Sequence, residues 1–261
     1  CTVRSNERTL AKSDEGGRLV MNKLFLAGTG KMGQMIAGLA KEQGIEVVGT
    51  ADVNTVDALK SAVVQADAVI DFSHRDMLEP LAEFVKRNRL PLVCGTTGLE
   101  EHHRAILKEL SCEVPVLYSA NFSVGIAVLR RVAAQAAAAL GEDFDIEIVE
   151  THHNQKVDAP SGTAKILLDA VNPNGEYTPV YGRQGMCGAR TKKEIGVHAL
   201  RGGTVAGEHV VRFFGKEEEI ALSHRADSRR IFAAGALKTA QLLCGKAPGL
   251  YTLEDVLFDN F

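Results

Sequence analysis

The feature that most constrains the fold is a glycine-rich turn between a short apolar segment and an amphipathic helix. Residues 24–27 are apolar, residues 34–43 have helical periodicity, and a second strand over residues 45–51 ends at Asp52. This order of strand, glycine turn, helix, strand and acid is typical of βαβ units that bind dinucleotides. Its glycines permit a tight turn, a close approach of backbone to pyrophosphate, and close helix–strand packing. The turn reads Gly28-Thr29-Gly30-Lys31-Met32-Gly33.

The same alternation continues toward the middle of the chain. Strands are predicted over residues 68–72, 91–94 and 115–118, with a helix over residues 77–88. Repeated strand–helix units predict a doubly wound parallel sheet, and such sheets bind ligands beyond the carboxyl ends of their strands. Besides the glycine turn, the residues predicted to bind the cofactor at those ends are Asp52, Gly95, Thr96, Thr97, Ser119, Ala120, Asn121 and Phe122.

The second half of the chain has a different pattern. An alanine-rich helix over residues 124–140 begins a second domain, and an amphipathic helix over residues 231–243 follows its strands. The segment 172–193 is rich in glycine and charged residues, and this composition predicts a mobile loop. Its basic residues either guide an anionic substrate or are simply solvated; they are Arg183, Arg190, Lys192 and Lys193. The predicted strands cover residues 145–150, 194–201, 205–214 and 218–224.

A run with two histidines and a lysine lies between the first of these strands and a further predicted helix. Ser161 is a suitable N-cap for that helix, whose first N–H groups attract anions because they lack backbone partners. Lys156 adds a positive charge nearby. The run therefore predicts a site for a carboxylate-bearing substrate, with a histidine available for proton transfer. It reads Glu150-Thr151-His152-His153-Asn154-Gln155-Lys156-Val157-Asp158-Ala159-Pro160-Ser161-Gly162-Thr163-Ala164.

The histidines do not predict a metal site. His152 and His153 are neighbours on a strand and point to opposite faces, and no third ligand stands at a helpful spacing. His102 and His103 lie in a polar helix over residues 100–109 and are expected to be solvated.

The run from Glu150 to Ala164 closely resembles the signature of the dihydrodipicolinate reductase (4-hydroxy-tetrahydrodipicolinate reductase) family. The resemblance extends from about Met21 to the C-terminus. Further motifs occur in the family's order, namely Gly95-Thr96-Thr97-Gly98, Ser119-Ala120-Asn121-Phe122-Ser123-Val124-Gly125 and Arg201-Gly202-Gly203-Thr204-Val205-Ala206-Gly207-Glu208-His209.

The resemblance implies reduction of 4-hydroxy-tetrahydrodipicolinate, a cyclic dicarboxylate, to tetrahydrodipicolinate with NADH and/or NADPH, in lysine and diaminopimelate biosynthesis. His152 matches the family's catalytic histidine, Lys156 its catalytic lysine, and His153 a substrate-binding position. The residues expected to bind a substrate carboxylate are Ser161, Gly162 and Thr163.

The resemblance also implies an architecture. Residues 21–122 and 226–261 are expected to form the dinucleotide-binding domain, and residues 123–225 an α+β substrate-binding and oligomerisation domain. The second domain would have an open mixed sheet through which the chain forms a homotetramer.

Two departures from the family leave the choice of cofactor open. The glycine turn is one residue shorter than the commoner family form, and no arginine follows Asp52, which precedes Val53 and Asn54. A carboxylate at Asp52 favours the ribose hydroxyls of NADH, whereas Lys31 can attract the 2′-phosphate of NADPH. Both cofactors are therefore expected to work.

Composition limits the other classes of function. The net charge of −3 argues against a general nucleic-acid binder, and no uninterrupted apolar run approaches the roughly 18 residues of a membrane span. The five cysteines are scattered without a Cys-x-x-Cys pair, which favours a reducing cytoplasm. Residues 1–20 lack the apolar core of a secretory signal and are expected to be a disordered extension.

Two alternatives remain at this stage. Another nicotinamide-dependent dehydrogenase, such as an aspartate dehydrogenase-like enzyme, would keep the glycine turn but not the whole run from His152 to Thr163. A non-catalytic redox sensor would bind the cofactor, but would have no reason to keep both His152 and Lys156.

Overall fold

A computed structural model of the chain describes residues 21–259, so the prediction for residues 1–20 lies outside the described residues. Within that range the chain forms two compact units. The first unit extends to Phe122 and resumes at Phe232, and the second comprises Ser123–Ile231.

Strands and helices alternate through most of the chain. The strands are β1 (Lys23–Ala27), β2 (Glu46–Ala51), β3 (Ala68–Asp71), β4 (Leu92–Cys94), β5 (Pro115–Tyr118), β6 (Asp145–His152), β7 (Thr178–Tyr181), β8 (Glu194–Arg201), β9 (Gly207–Phe214), β10 (Glu219–Ala226) and β11 (Gly249–Tyr251). The α-helices are α1 (Lys31–Glu42), α2 (Leu78–Asn88), α3 (Glu101–Leu110), α4 (Val124–Leu140), α5 (Gly162–Val171), α6 (Arg230–Leu243) and α7 (Leu253–Leu257).

The first unit contains a parallel sheet of six strands in the order β11-β5-β4-β3-β1-β2. The sheet has a hydrophobic core on each face. Successive side chains of β1 pack in these two cores in turn, because strand residues alternate between faces. Phe25 packs with Leu81 and Phe84 of α2 on one face, whereas Leu26 shares a core with Ile36 of α1 and Leu237 of α6 on the other. Helices on both faces of a parallel sheet confirm the predicted doubly wound architecture.

The carboxyl ends of the central strands lie side by side. Ala27 at the end of β1 pairs with both Ala51 and Asp71, which end β2 and β3. Asp71 pairs in turn with Cys94, and Cys94 with Tyr118. The segments that follow these five strands therefore leave the sheet at one edge, where ligands of such sheets bind.

The second unit contains a mixed sheet of five strands in the order β10-β9-β6-β8-β7, as predicted for this half of the chain. Strands β6, β7 and β8 are parallel, whereas β9 is antiparallel to both β6 and β10. Helices α4 and α5 cover one face, where Leu129 and Leu167 join Ile148, Val197 and Phe213 in a core. The site described below lies at the end of this face.

Helix α4 lies in the segment Val124–Asp143, which is long and apolar enough to cross a membrane by length and composition alone. Two arginines, Arg130 and Arg131, lie in the middle of this segment. Ile126, Leu129 and Ala133 are buried in the core of the second unit, so one side of the helix packs against that core.

The prediction of a mobile loop over residues 172–193 is wrong in part, because the segment contains strand β7. Arg183 donates to both carboxylate oxygens of Glu147 on β6, at 3.1 and 2.9 Å, and Arg190 donates to Asp145 at 2.9 Å. A Cβ at Gly196 would lie 1.8 Å from a Glu147 oxygen, so this glycine makes room for the carboxylate. The two arginines are thus bound to the sheet rather than solvated.

Two other local predictions need correction. Helix α1 begins at Lys31, three residues earlier than expected, so that Lys31 and Met32 form its first turn. His103 is buried rather than solvated. Its Nδ1 accepts the Glu100 N–H at 3.1 Å and so helps to cap the start of helix α3. His102 remains exposed.

Candidate active site

The glycine turn of the first unit has two positions that admit only glycine. Gly28 has a φ of +98°, and a Cβ there would lie 2.4 Å from the Phe72 carbonyl oxygen. A Cβ at Gly33 would lie 1.8 Å from the Gly28 carbonyl oxygen. By contrast, no atom lies within 4 Å of a Cβ built at Gly30, the residue that precedes α1. The start of α1 therefore faces open space, which suits a phosphate bound by first-turn N–H groups.

Asp52 is the first residue after β2 and lies beside this turn. Its carboxylate accepts the Thr29 hydroxyl at 2.8 Å and the Asn54 N–H at 2.9 Å. The hydrogen bond from Thr29, followed by that from Asn54, lowers the pKa of Asp52. The carboxylate is consequently ionised at neutral pH and suited to accept hydrogen bonds from ribose hydroxyls, so the turn and Asp52 together fit a dinucleotide.

The remaining residues predicted to contact the cofactor follow β4 and β5, but not every side chain there faces outward. Thr96 is buried and donates to Asp71 at 2.9 Å, and Phe122 is buried with its ring 5.3 Å from that of Phe72. The Ser119 hydroxyl donates to the Asn121 carbonyl at 2.7 Å. Any contact of Thr96 or Phe122 with a cofactor would therefore use the backbone.

In the second unit, Glu150 and His152 lie two residues apart on β6 and therefore share one face of the sheet. The side chain of Glu150 is completely buried, and one of its oxygens lies 2.6 Å from His152 Nδ1. Arg201 of β8, the register partner of His152, donates to both Glu150 oxygens at 2.8 and 2.9 Å. A charged residue is tolerated at this depth because the pairing is bidentate.

This pairing determines which histidine nitrogen can act on a substrate. Burial raises the pKa of Glu150, but hydrogen bonds from Arg201, His152 and the Ser161 N–H together hold it below its ordinary value. An ionised Glu150 only accepts hydrogen bonds, so His152 Nδ1 is the donor and Nε2 is the nitrogen left for proton transfer. A Cβ at Gly207 would lie 3.1 Å from Nε2, so a side chain at this position would crowd that nitrogen.

The start of helix α5 is joined to the same carboxylate. The Ser161 N–H donates to Glu150 at 3.0 Å, and the Ser161 hydroxyl caps the helix by accepting the Ala164 N–H at 3.1 Å. Gly162 is exposed, with no atom within 4 Å of a Cβ built there. Glu150 thus fixes the histidine and the anion-attracting end of the helix relative to each other.

Lys156 lies in the connection between β6 and α5, with its Nζ 2.6 Å from an Asp158 carboxylate oxygen. Arg201 donates to the Asp158 backbone carbonyl at 2.7 Å and so fixes that part of the connection. His153 follows the last residue of β6, and its carbonyl accepts the Lys156 N–H at 3.2 Å. The second unit therefore brings all the residues predicted to bind substrate into one short connection and the helix it enters.

One histidine of this site was not predicted to take part in it. His209 of β9 is buried, with Nε2 2.9 Å from the Ser161 hydroxyl oxygen and its ring 5.1 Å from that of His152. Burial lowers the pKa of His209 to about 4, so the ring is neutral at physiological pH.

The depressed pKa of His209 predicts a pH dependence of stability. The pKa of this histidine is about 6.5 in the unfolded chain and about 4 in the native chain. At pH values between these two, the unfolded chain binds a proton at His209 that the native chain does not. The free energy of unfolding should therefore fall as pH is lowered through this window, by roughly 3 kcal/mol from this group. Urea unfolding at pH 7, 6, 5 and 4 measures the fall. His209→Gln should lose less stability than the wild type over the same range, and equal losses would refute the assignment.

The parallel sheet with its glycine turn and the mixed sheet of the second unit define the class of protein as a nicotinamide-dependent oxidoreductase. Sequence profiles for the N-terminus and C-terminus of dihydrodipicolinate reductase match residues 22–122 and 125–257. The chain belongs to the dihydrodipicolinate reductase family, whose members reduce 4-hydroxy-tetrahydrodipicolinate with NAD(P)H in lysine and diaminopimelate biosynthesis, which confirms the resemblance.

Individual relatives agree with this assignment. The 4-hydroxy-tetrahydrodipicolinate reductase of Caldanaerobacter subterraneus subsp. tengcongensis is 46% identical, over 91% of this chain and 99% of that protein. The reductase of Staphylococcus haemolyticus is 43% identical, over 90% of this chain and 100% of that protein. In fold the chain is similar to a dihydrodipicolinate reductase from a Paenisporosarcina species with dipicolinate bound. The TM-score is 0.68 at 20% identity, over 89% of this chain and 98% of that one.

Proposed function

We propose that His152 supplies the proton and Lys156 binds a substrate carboxylate in the reduction of 4-hydroxy-tetrahydrodipicolinate. The observation that carries this proposal is the shared contact of Glu150 with His152 and with the start of α5. When bound, the nicotinamide cofactor supplies the hydride. The side chains of the second unit then have to orient the dicarboxylate and quench the charge that hydride addition creates.

His152 is suited to donate the proton because of how it is held. Its Nδ1 is engaged by Glu150 at 2.6 Å, which fixes the ring and leaves Nε2, beside Gly207, for the substrate. A carboxylate partner also stabilises the positive charge of the protonated ring, as in other acid–base pairs of this kind. The proton would pass from His152 Nε2 to the atom of the substrate ring that becomes negatively charged on reduction.

Lys156 and the start of α5 provide the positive charge and N–H groups for the substrate carboxylates. The Lys156 side chain is 18% exposed, and the side chain of its partner Asp158 is 56% exposed to solvent. A substrate carboxylate can therefore replace Asp158 at the ammonium group. The substrate residues of this proposal are His153, Ser161, Gly162 and Thr163, with the N–H groups of Gly162 and Thr163 directed at an anion.

Removing one N–H from the helix start tests the anion site. Gly162 is the first residue of α5, a position where proline is well tolerated, and Ser161 before it already has φ −61° and ψ 156°. Gly162→Pro should therefore fold but lose one hydrogen bond to a carboxylate. We expect KM and the Kd of dipicolinate to rise roughly 10-fold.

Gly162→Ala is the matched control, because it keeps the N–H and its Cβ enters open space. It should bind dipicolinate with nearly wild-type affinity. Unchanged KM and Kd in a folded Gly162→Pro protein would place the carboxylate elsewhere.

We further propose that both NADH and NADPH are used, with NADH at least comparable to NADPH. Asp52 favours the free ribose hydroxyls of NADH and repels a 2′-phosphate, whereas Lys31, exposed in the first turn of α1, attracts it. The other cofactor contacts proposed are those of the glycine turn and of the residues after β4 and β5: Gly28, Thr29, Gly30, Met32, Gly33, Gly95, Thr96, Thr97, Ser119, Ala120, Asn121 and Phe122.

The two opposing charges give opposite expectations for their variants. Asp52→Ala should shift the ratio of kcat/KM toward NADPH, and Lys31→Ala should shift it toward NADH, each by roughly 5-fold to 10-fold. Lys41→Ala is the control, because Lys41 lies at the other end of α1 and should leave the ratio unchanged. The explanation fails if neither Asp52→Ala nor Lys31→Ala changes the ratio.

We propose a cytoplasmic homotetramer assembled through the sheet face that points away from α4 and α5. Strand alternation places Val149, Leu200 and Val210 on that face, and Leu200 is 48% exposed. These apolar side chains, of which Leu200 is exposed, are proposed to contact another copy. Sedimentation at micromolar concentration should show a tetramer that Leu200→Glu weakens, and a wild-type monomer would contradict the proposal.

A further inference from the structure

His209 is a buried histidine at the substrate site that the proposed proton transfer does not use. Its residue is 4% exposed, and its Nε2 lies 2.9 Å from the Ser161 hydroxyl oxygen. Its other ring nitrogen, Nδ1, is buried and has no hydrogen-bond partner among residues 21–259. The position of its single proton therefore decides how Ser161 can interact with a ligand.

The hydroxyl of Ser161 has one donor and two acceptor sites. One acceptor site is occupied by the Ala164 N–H at 3.1 Å. If the proton of His209 is on Nε2, the ring donates to the second acceptor site and the serine hydrogen is left for another acceptor. If the proton is on Nδ1, the serine has to donate to Nε2 and has no donor left for a ligand.

Burial favours the first arrangement. A proton on Nδ1 would leave a buried N–H without an acceptor among the described residues, and orphaned N–H groups of this kind are rare and costly. A proton on Nε2 has the serine oxygen within hydrogen-bond distance. The ring is neutral at physiological pH, so it carries one proton rather than two.

We propose that His209 is a positioning residue that, by donating from Nε2, makes the Ser161 hydroxyl a third donor to the substrate carboxylate at the start of α5. The other two donors are the N–H groups of Gly162 and Thr163. With both acceptor sites of the serine oxygen filled, its hydrogen is held in the one remaining direction. This inference rests on the proposed function, because it assigns a role at the carboxylate site proposed above.

The first experiment determines the tautomer directly. Nitrogen-15 NMR of imidazole-labelled protein, with His209→Gln used to assign the signal, should show the proton on Nε2 and an unprotonated Nδ1. A proton on Nδ1 would overturn the inference, whatever the protein catalyses.

The second experiment is a double-mutant cycle read out by the Kd of dipicolinate. His209→Leu should raise the Kd roughly 10-fold when Ser161 is present, but less than 2-fold in a Ser161→Ala background, because the lost interaction is the same one. His209→Gln keeps an N–H that can donate to Ser161 and should restore most of the affinity. The effect should appear in KM and Kd more than in kcat, since a carboxylate contact is made in ground and transition states alike.

The outcomes separate the inference from the proposed function. Additive losses in folded variants, with normal dipicolinate binding by the wild type, overturn the role of His209 and leave the carboxylate site standing. Failure of the wild type to bind dipicolinate overturns both. Thermal unfolding of each variant shows whether a change in Kd comes from a loss of folded protein.

Discussion

His152→Gln is expected to lower kcat by roughly 100-fold or more with a much smaller effect on KM. Glutamine is close in size to histidine and can place an amide near the position of Nε2, but an amide cannot release a proton there. Loss of a positioned acid usually has an effect of this size. Coupled assays with freshly generated substrate give both parameters, and the melting temperature shows whether the variant is folded.

Two further variants help to interpret a loss of kcat in His152→Gln. Glu150→Gln should lower kcat as well, because the imidazole loses the anion that fixes Nδ1 as the donor. His102→Gln is the matched control, since that histidine is exposed in the first unit and should leave kcat unchanged. Near wild-type turnover in folded His152→Gln would remove this residue from the mechanism.

Lys156→Ala is expected to lower kcat/KM by roughly 100-fold to 1000-fold. The substitution removes the ammonium group that is proposed to hold a substrate carboxylate and to stabilise charge as the hydride is added. The carboxylate partner of Lys156 in this structure is Asp158, so the ammonium can exchange one carboxylate for another. Steady-state kinetics at saturating cofactor measure the loss.

Asp158→Asn shows whether the effect of Lys156→Ala comes from losing the lysine itself or from losing its ion pair with Asp158. Arg201 contacts Asp158 through the backbone carbonyl, so the amide variant keeps that interaction and loses only the carboxylate. Its kcat/KM should remain within a few-fold of wild type. If Lys156→Ala and Asp158→Asn had equal effects, the ion pair itself would matter and the lysine would not act on the substrate.

The sequence was sufficient to predict features that depend on local spacing. The glycine turn, the acid that follows β2 and the cap at Ser161 were all predicted from residue order and lie where expected. Even the inward direction of Glu150 could have been predicted, because it follows Ile146 and Ile148 at a spacing of two residues on one strand.

Features that depend on pairing between distant strands could not be predicted in this way. Arg201 reaches Glu150 because β8 lies parallel to β6 in a register that puts Arg201 opposite His152. His209 reaches the site because β9 pairs antiparallel with β6 in a register that puts His209 opposite Glu150. Both residues belong to a motif that was recognised, yet no spacing in the sequence sets the register between strands. The ion pairs of Arg183 and Arg190 were missed for the same reason.

One site, built from His152 and Lys156, is proposed to carry out the NAD(P)H-dependent reduction of 4-hydroxy-tetrahydrodipicolinate. The most direct test compares the wild type with the double variant His152→Gln/Lys156→Ala in a coupled assay that generates the substrate in place. The wild type should oxidise NADH and NADPH only when the substrate-generating system is present, and the folded double variant should oxidise neither at a measurable rate. Oxidation by the double variant at the wild-type rate, or none by the wild type, would contradict the account.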